Sequence, residues 1–494
     1  MGAYLFDDGI RVSGGRFDES GSQMLLYTDT ATSRRGSTLK PDGDGYVPAF
    51  NFGDVERVTF SDGDNRMQWQ MPSGEVREAR RVMRPQFRDV QFDNGNVTLR
   101  GTLYLPPDAG APVPAVVLAH GSGPATRHLG TWTTFFLEQG LAVLSYDKRG
   151  AGESTGDWQA SSYLELAADL SRAVDHIRKL PMIDADRVGI HSSSQSGWYG
   201  PHVARNNPGV AFLIQRVGPA VNIGIGTAHE IREEWRAEGL PEEHIQAGVE
   251  FWLELHRLAA EEAALTQANT LFDDAKKEPW FAQTFGEWKP IESAWWQRLV
   301  ANMQLEPAED VAQLDIPVLW FLAEKDQNVP YAASHAALQK AKDANTQLEL
   351  ITVQDSPHSF LLPAANDKLR YTRNYWPVMS AWLRDRGFVD APPQIFRFTT
   401  DRFWLNLHHF LYVLGRAQAG MPDIDRRAVA QAPGDEEQGL AELSPEEQAL
   451  WREAVAIYAE GPSQLDMVFD EKLLKTTHGV KDAVAAGNPT VRSP

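Results

Sequence analysis

A serine-rich turn at the end of an apolar strand is the first place where this sequence could carry out chemistry. Residues 188–198 read Val-Gly-Ile-His-Ser-Ser-Ser-Gln-Ser-Gly-Trp, an apolar run followed by a predicted helix. A nucleophilic serine on such a tight turn needs small residues two places before and after it. Ser194 meets this rule, with Ser192 and Ser196 at those places. The alternative is that these serines only cap the helix.

Two further side chains could complete a catalytic constellation. Asp326 follows the predicted strand 317–322, and its spacing before Val329 and Pro330 favours it over the competing Glu324. His358 follows the predicted strand 348–353. A serine hydroxyl is a weak nucleophile at neutral pH, so a histidine must accept its proton and a carboxylate must orient that histidine. The sequence therefore predicts Ser194 as nucleophile, His358 as general base and Asp326 as the orienting acid.

A glycine-containing loop supplies the predicted site for a developing oxyanion. Residues 120–124 read His-Gly-Ser-Gly-Pro and follow directly on a buried strand. Backbone N–H groups that face the reacting carbonyl stabilise the negative charge on its oxygen. We expect the N–H groups of Ser122 and Gln195 to be the two donors. The loop has neither the G-x-G-x-x-G nor the Walker pattern, which argues against a nucleotide site.

The elements that must position these residues alternate between strand and helix. A helix is predicted over residues 163–180 from its apolar spacing, and strands are predicted from continuous apolar runs. These runs cover residues 115–119, 141–146, 188–190, 210–214 and 318–322. Buried parallel strands have this composition, so the pattern predicts an α/β fold with a doubly wound, mostly parallel sheet.

The chain is long enough for several structural units. We predict a small β domain at 1–86, whose composition suits a sandwich or an open barrel, an α/β core at 87–219 and 311–392, and a helical cap insertion at 220–310. A C-terminal helical region is predicted at 393–494, with a capping box at 444–447. The roles of the first and last regions stay open and include homo-oligomerisation, shielding of a pocket and docking of a partner.

The predicted cap is acidic and rich in aromatic residues. Residues 220–310 contain 18 Asp and Glu against 7 Lys and Arg, which disfavours a polyphosphate ligand such as an acyl-CoA thioester. Its large aromatic residues either form the core of the helices or line a pocket. They are Trp235, Phe251, Trp252, Trp280, Phe281, Phe285, Trp288, Trp295 and Trp296.

Composition excludes several classes of function. The 494 residues include 47 Lys and Arg and 67 Asp and Glu, a formal charge of -20 that makes nucleic acid an unfavourable partner. The absence of cysteine excludes disulfides, thiolate metal sites and a cysteine nucleophile. No metal, nucleotide or flavin cofactor is implied. Neither a signal peptide at the start nor an apolar run of membrane-spanning length is found. We expect a soluble protein, cytoplasmic or, after removal of an export signal, periplasmic or secreted.

These motifs resemble those of bacterial α/β-hydrolases of the serine aminopeptidase-like and dienelactone hydrolase-like kind. The resemblance covers roughly residues 87–390, and the order Ser, Asp, His is that of the superfamily. The motifs that carry it are Leu-x-Gly-Thr-Leu-x-Leu-Pro at 99–106, the 120–124 loop, Tyr-Asp-Lys-Arg-Gly at 146–150 with Gly-Glu-Ser at 152–154, the elbow, Asp-x-x-Val-Pro at 326–330 and His358. Relatives usually have Gly-His-Ser-Gln-Gly at the elbow, from which Ser192, Ser193 and Ser196 depart. The resemblance implies structural roles for Asp147 and Arg149.

The resemblance implies hydrolysis of an ester or an amide through an acyl-enzyme. Our first hypothesis is a carboxylesterase-like serine hydrolase (class EC 3.1.1) that acts on a small-to-medium, largely apolar ester. The second is a serine peptidase or amidase with the same three residues, which would need a carboxylate of the cap to bind the amino group of its substrate. The third, motivated by the altered elbow, is a non-catalytic binding protein of the same fold.

Overall fold

The computed structural model describes residues 2–7, 11–17, 23–29, 34–48, 55–107, 112–353, 355–364, 368–371 and 375–389. These residues divide into two compact units. The first contains Met1–Pro85, Gly130–Leu141 and the described residues from Phe360 onward; the second contains Gln86–Leu129 and Ala142–Ser359. The helical region predicted at 393–494, with the capping box at 444–447, lies outside the described residues.

The first unit is built on an antiparallel sheet of ten strands. They are, numbered along the chain, β1 Gly2–Phe6, β2 Arg11–Phe17, β3 Gln23–Asp29, β4 Arg34–Asp42, β5 Gly45–Pro48, β6 Arg57–Ser61, β7 Arg66–Gln70, β8 Val76–Met83, β17 Leu361–Ala364 and β18 Lys368–Tyr371. The pairing of β4 with β5 closes β1 to β8 into a ring. This domain is therefore a closed barrel, where its composition had suggested a sandwich or an open barrel.

The barrel encloses apolar side chains that alternate along its strands. Val12, Val58, Met67 and Trp69 belong to this core, and each is at most 5% exposed. The same unit contains the helices α1 Gly130–Glu138 and α11 Tyr375–Asp385. Arg11 of β2 forms a buried ion pair with Glu138 of α1 at 3.1 Å.

The second unit has an eight-stranded sheet of the α/β-hydrolase type. Its strands are β9 Gln86–Asn94, β10 Val97–Leu105, β11 Val113–Leu118, β12 Ala142–Tyr146, β13 Ile183–Ser193, β14 Phe212–Arg216, β15 Val318–Ala323 and β16 Leu348–Val353. They lie in the order β9, β10, β12, β11, β13, β14, β15, β16. The pairs β9–β10 and β10–β12 are antiparallel, and the other five neighbouring pairs are parallel. The predicted doubly wound, mostly parallel sheet is confirmed.

Helices α2 Tyr163–Arg178, α3 Ser196–Asn206 and α10 Tyr331–Ala344 connect these strands. The first begins at a capping box, in which the Ser162 hydroxyl accepts the N–H of Glu165 while the Glu165 carboxylate accepts the N–H of Ser162. These two bonds satisfy N–H groups that a helix start leaves without intrahelical partners. The sequence had predicted this helix two residues longer at its C-terminal end.

Six helices separate β14 from β15. They are α4 Ile223–Ala237, α5 Glu242–Ala260, α6 Leu265–Ala275, α7 Pro279–Thr284, α8 Ser293–Asn302 and α9 Pro307–Ala312. Within this insertion the aromatic rings pack mainly on one another; for example, Phe251 lies 5.7 Å from Phe281 and 5.3 Å from Phe285 between ring centroids. Among the helices that the structure describes, none combines the length and the apolar composition that crossing a bilayer requires.

Candidate active site

Ser194 lies on a sharp turn between β13 and α3. Its φ of +53° places it in the left-handed region, which costs a residue with a Cβ on the order of 1 kcal/mol. The N–H of Gly197 donates to the Ser194 carbonyl at 2.7 Å, and the Ser194 N–H donates to the carbonyl of Arg216 at 3.0 Å. These bonds stabilise the strained turn. The turn places the serine hydroxyl at the carboxyl end of the parallel strands.

The structure brings the three predicted residues into one hydrogen-bonded line. His358 Nε2 lies 3.0 Å from Ser194 Oγ. His358 Nδ1 lies 2.9 and 2.8 Å from the two carboxylate oxygens of Asp326. A carboxylate accepts hydrogen bonds, so Nδ1 carries the ring proton and Nε2 presents a lone pair to the serine hydroxyl. The imidazole thus has the tautomer that can remove a proton from Ser194.

The orientation of the Asp326 carboxylate is fixed by backbone N–H groups of the residues that follow it. One carboxylate oxygen accepts the N–H groups of Asn328 and Val329, both at 2.9 Å. The Asp326 side chain is 1% exposed, whereas that of His358 is 23% exposed. Glu324, the competing acid in the sequence, is exposed and accepts the N–H of Asp355 instead.

The serines that replace glycine at the turn are part of a hydrogen-bond network. Ser196 Oγ accepts the N–H of Ser193 at 2.7 Å and donates to the Ser193 carbonyl at 2.8 Å. Ser192 Oγ donates to Ser196 Oγ at 2.9 Å. A Cβ on Gly200 would lie 2.6 Å from Ser192 Oγ, so the missing side chain at Gly200 makes room for this serine. The turn therefore accommodates both serines.

The predicted donor loop lies beside Ser194. A Cβ built on Gly121 would lie 3.6 Å from the Cβ of Ser194, so the loop lies within van der Waals contact distance of the turn. The loop's position is held from below, where Tyr199 donates from its hydroxyl to the His120 carbonyl at 3.2 Å. Ser122 is next in this loop, and Gln195 directly follows Ser194 at the start of α3. Both predicted donors thus belong to the segments that flank the hydroxyl.

Two buried cations near Ser194 were missed in the sequence. Arg216 ends β14, and its guanidinium donates to Ser193 Oγ at 3.1 Å and to the carbonyls of His358 and Ser359 at 3.0 and 2.8 Å. Lys148 donates from Nζ to the Gly121 carbonyl and to the side chain of Gln195. For Arg216, the signal available in the sequence was a charged residue directly after an apolar run and Gln215.

Asp147 and Arg149 hold the loop after β12. The Asp147 carboxylate accepts hydrogen bonds from the guanidinium of Arg127 at 2.6 Å and from the N–H of Glu153 at 2.9 Å. Burial opposes ionisation of Asp147, but the bonds to Arg127 and to backbone N–H groups hold its pKa below the ordinary value. Arg149 forms an ion pair with Asp169 at 2.6 Å. These contacts fit the structural roles expected for the two residues.

Two histidines near the turn are buried and neutral. Burial lowers the pKa of His120 to about 3, and the nearby Lys148 charge adds to this effect. Burial and the charge of Arg216 lower the pKa of His191 to about 3. His191 lies inside the sheet and is 3% exposed. Within the described residues, no three His, Asp or Glu side chains converge on a point where a metal ion could bind.

Helix α4 of the insertion contacts the loop that carries Asp326. His229 Nε2 lies 3.0 Å from the Asp326 carbonyl, and Glu230 accepts the side-chain amide of Asn328 at 3.0 Å. Burial raises the pKa of Tyr163 to about 12, and the charge of Glu230 contributes to this rise. The Tyr163 hydroxyl accepts the side-chain amide of Gln195 at 3.2 Å. Glu230 therefore places a carboxylate of the insertion against the loop that carries Asp326.

Residues 110–361 match the family described as Serine aminopeptidase, S33. The quorum-quenching protein AidA of Acinetobacter baumannii is 33% identical over 132 residues, 26% of this chain and 42% of that protein. The bifunctional esterase/perhydrolase DCH of Acinetobacter calcoaceticus is 24% identical over 263 residues, 50% of this chain and 85% of that protein. A solved Pyrococcus furiosus esterase is 16% identical with a TM-score of 0.41, over 61% of this chain and 91% of the other. The chain spans less than half the length of AidA.

Proposed function

The chain belongs to the family described as serine aminopeptidase, S33, and from this premise we propose that it is a serine hydrolase that cleaves carboxylic esters. Ser194 is the nucleophile, His358 the general base and Asp326 the acid that orients the histidine. The observation that carries the proposal is the unbroken line of hydrogen bonds from Ser194 Oγ through the imidazole to the buried carboxylate.

Acylation begins with Ser194. Its Oγ attacks the ester carbonyl carbon as His358 Nε2 takes the hydroxyl proton, and the carbonyl oxygen becomes an oxyanion. The N–H groups of Ser122 and Gln195 stabilise that charge. The carbon–oxygen bond to the alcohol then breaks, and His358 gives its proton to the departing alkoxide. An acyl-Ser194 ester and a free alcohol result.

Deacylation repeats these steps with water. His358 removes a proton from the water as its oxygen attacks the acyl carbon, and a second oxyanion forms in the same place. When this intermediate collapses, Ser194 Oγ leaves and recovers the proton from the imidazolium. The acid product is released and the resting enzyme is restored. Asp326 stays ionised throughout and stabilises the imidazolium that forms twice in each cycle.

A neutral, largely apolar, small-to-medium ester is the substrate class that the charges favour. The described cations next to Ser194, Lys148 and Arg216, are buried and donate to protein groups. The insertion carries a net negative charge, which repels anionic acyl groups and polyphosphates. The name of the esterase/perhydrolase relative agrees with an ester. Because the aromatic rings of the insertion pack mainly on one another, they contribute little to this choice.

An amidase or aminopeptidase is the second candidate, and Glu230 is the observation that favours it. This half-buried residue lies on α4, bonds to Asn328 two residues after Asp326, and acts electrostatically on Tyr163. A carboxylate there can bind the ammonium group of a peptide's first residue. In that case the leaving group is an amine, which must receive the proton from His358 before it can depart.

Two substrate series distinguish these candidates. Wild type, Ser194→Ala and the control Ser171→Ala are assayed with p-nitrophenyl esters of increasing acyl length and with aminoacyl p-nitroanilides. We expect ester turnover with an initial burst, a loss of at least about 10³-fold in Ser194→Ala, and no loss in the control. Anilide turnover that also falls in Glu230→Gln would select the aminopeptidase. Ester hydrolysis that survives Ser194→Ala would refute the assignment of the nucleophile. Folded wild type that neither turns over either series nor reacts with a fluorophosphonate would favour a binding protein.

A further inference from the structure

Lys148 lies beneath the two segments that flank Ser194. The side chain is among the largest that are fully buried in the structure, and the residue is 2% exposed. Its Nζ donates to the carbonyl of Gly121 and, at 3.1 Å, to the side-chain oxygen of Gln195. The ring centroid of Trp158 lies 5.6 Å from the same atom. One ammonium group thus joins the loop after β11 to the residue that follows the nucleophile.

The bond to Gly121 sets the direction of a neighbouring N–H group. Gly121 C=O and Ser122 N–H belong to one planar trans peptide, in which they point in opposite directions. Because Lys148 holds the carbonyl from below, the Ser122 N–H is directed away from the lysine. Tyr199 holds the preceding carbonyl, that of His120, in the same loop. The predicted oxyanion donor therefore depends on Lys148 for its orientation.

The second bond acts on the other donor residue. Gln195 is fixed at both ends of its amide: the oxygen accepts from Lys148 and the nitrogen donates to the Tyr163 hydroxyl. Tyr163 in turn stacks on Trp198, with ring centroids 5.5 Å apart. An immobilised Gln195 side chain limits the movement of its own backbone N–H at the start of α3. The two expected donors are thereby tied to a single atom.

We propose that Lys148 is a positioning residue for the oxyanion site, orienting the N–H groups of Ser122 and Gln195 and adding a buried positive charge beneath them. The inference rests on the proposed function, since it concerns the charge that forms during acyl transfer. Lys148 acts through Gly121 and Gln195, which accept its hydrogen bonds. Its contribution rises when the carbonyl oxygen becomes negative, so it stabilises the transition state more than the bound ester.

The test compares Lys148→Met with Lys342→Met, the same change at a half-buried lysine of α10. Each is assayed for kcat and KM on the best p-nitrophenyl ester, for inhibition by an alkyl boronic acid, which forms a tetrahedral adduct, and for thermal unfolding. Removal of one donor from an oxyanion site lowers kcat by about 10²- to 10³-fold. Because the donors are loosened rather than removed, we expect kcat of Lys148→Met to fall about 10- to 100-fold with KM within about twofold. The affinity of Lys148→Met for the boronic acid should fall by a similar factor. Lys342→Met should match wild type.

A second variant covers the case in which Lys148→Met does not fold. Lys148→Gln keeps a hydrogen-bond donor without the charge, and we expect a smaller loss of kcat that again matches the loss of boronic acid affinity. Unchanged kcat in either folded variant, or a rise in KM with kcat unchanged, would overturn the role of Lys148. The assignment of the protein as a serine hydrolase would stand in either case. Wild type without Ser194-dependent turnover would instead overturn the proposed function, and the role of Lys148 with it.

Discussion

Arg216 and His358 are 142 residues apart in the chain, yet the guanidinium of the first donates to the backbone carbonyl of the second at 3.0 Å. The same guanidinium reaches Ser193 Oγ, in the residue before the nucleophile. A single planar group with several donors can span both segments, and it thereby sets the distance between the imidazole and the serine hydroxyl. The reach of His358 Nε2 to Ser194 Oγ therefore depends on a residue that touches neither atom.

Arg216→Lys should lower kcat by about 10- to 100-fold, because an ammonium group cannot reproduce the forked contacts and small misplacements of catalytic groups are costly. The measurement is steady-state hydrolysis of a p-nitrophenyl ester. Ser193→Ala removes only the contact between the Arg216 guanidinium and Ser193 Oγ, and it should lower kcat by less than about fivefold. Wild-type kcat in a folded Arg216→Lys variant would show that the His358 loop is positioned without this guanidinium.

Asp326→Asn should reduce kcat by about 10³- to 10⁴-fold, because an amide can donate to His358 Nδ1 and so favour the wrong imidazole tautomer. Glu324→Gln is the matched control, since Glu324 is also an acid at the end of β15 but bonds to the Asp355 N–H. We expect its kcat to stay within about twofold of wild type, as it contacts none of the three reacting residues. Equal losses in both variants would contradict the assignment of the acid.

The positive φ of Ser194 predicts a difference between two inactive variants. Ser194→Gly should have a free energy of unfolding about 0.5–1 kcal/mol higher than Ser194→Ala, because glycine adopts the left-handed region without a Cβ penalty. The measurement is urea-induced unfolding. The control pair is Ser171→Gly and Ser171→Ala inside α2, where glycine should be the less stable by up to about 1 kcal/mol. If the alanine variant were the more stable one at both positions, the turn at Ser194 would not be strained.

The site residues that sequence could predict are those whose position along a strand fixes their place in space. Parallel strands bring their carboxyl ends to one edge of the sheet, so the segments that follow β13, β15 and β16 had to meet there. Side-chain reach is not fixed in this way. The apolar run predicted as a strand at 210–214 gave no indication that the guanidinium of Arg216 crosses to the His358 loop. The partners of Lys148 come from two distant segments.

The barrel illustrates the same limit for the fold. The sequence predicted a small β domain at 1–86, and its short alternating segments at 24–27 and 57–60 lie within β3 and β6. Closure of the ring depends on the β4–β5 pairing, and β18 pairs with β4 across more than 300 residues. Pairings between strands so far apart depend on tertiary packing, which local alternation does not reveal.

Acid should destabilise the protein through its buried histidines. His120 has a folded pKa of about 3 against an ordinary value of 6.5, so between these values the unfolded chain binds a proton that the folded chain does not. Stability from this group is complete above pH 6.5 and is lost as the pH falls toward 3. The loss between pH 7 and pH 5 amounts to about 2 kcal/mol.

His120→Gln isolates this contribution. Glutamine keeps a side-chain N–H for the Tyr146 carbonyl, which His120 Nε2 contacts, but it has no proton to gain in this range. Urea unfolding at pH 7 and pH 5 should therefore show a stability loss about 2 kcal/mol smaller in the variant than in wild type. The comparison is between the stability losses of the two proteins from pH 7 to pH 5. A change in stability that the substitution causes equally at both pH values cancels, and so does the titration of the carboxylates and of the other histidines. Identical pH dependence in the two proteins would mean that His120 is protonated as readily in the folded chain as in the unfolded one.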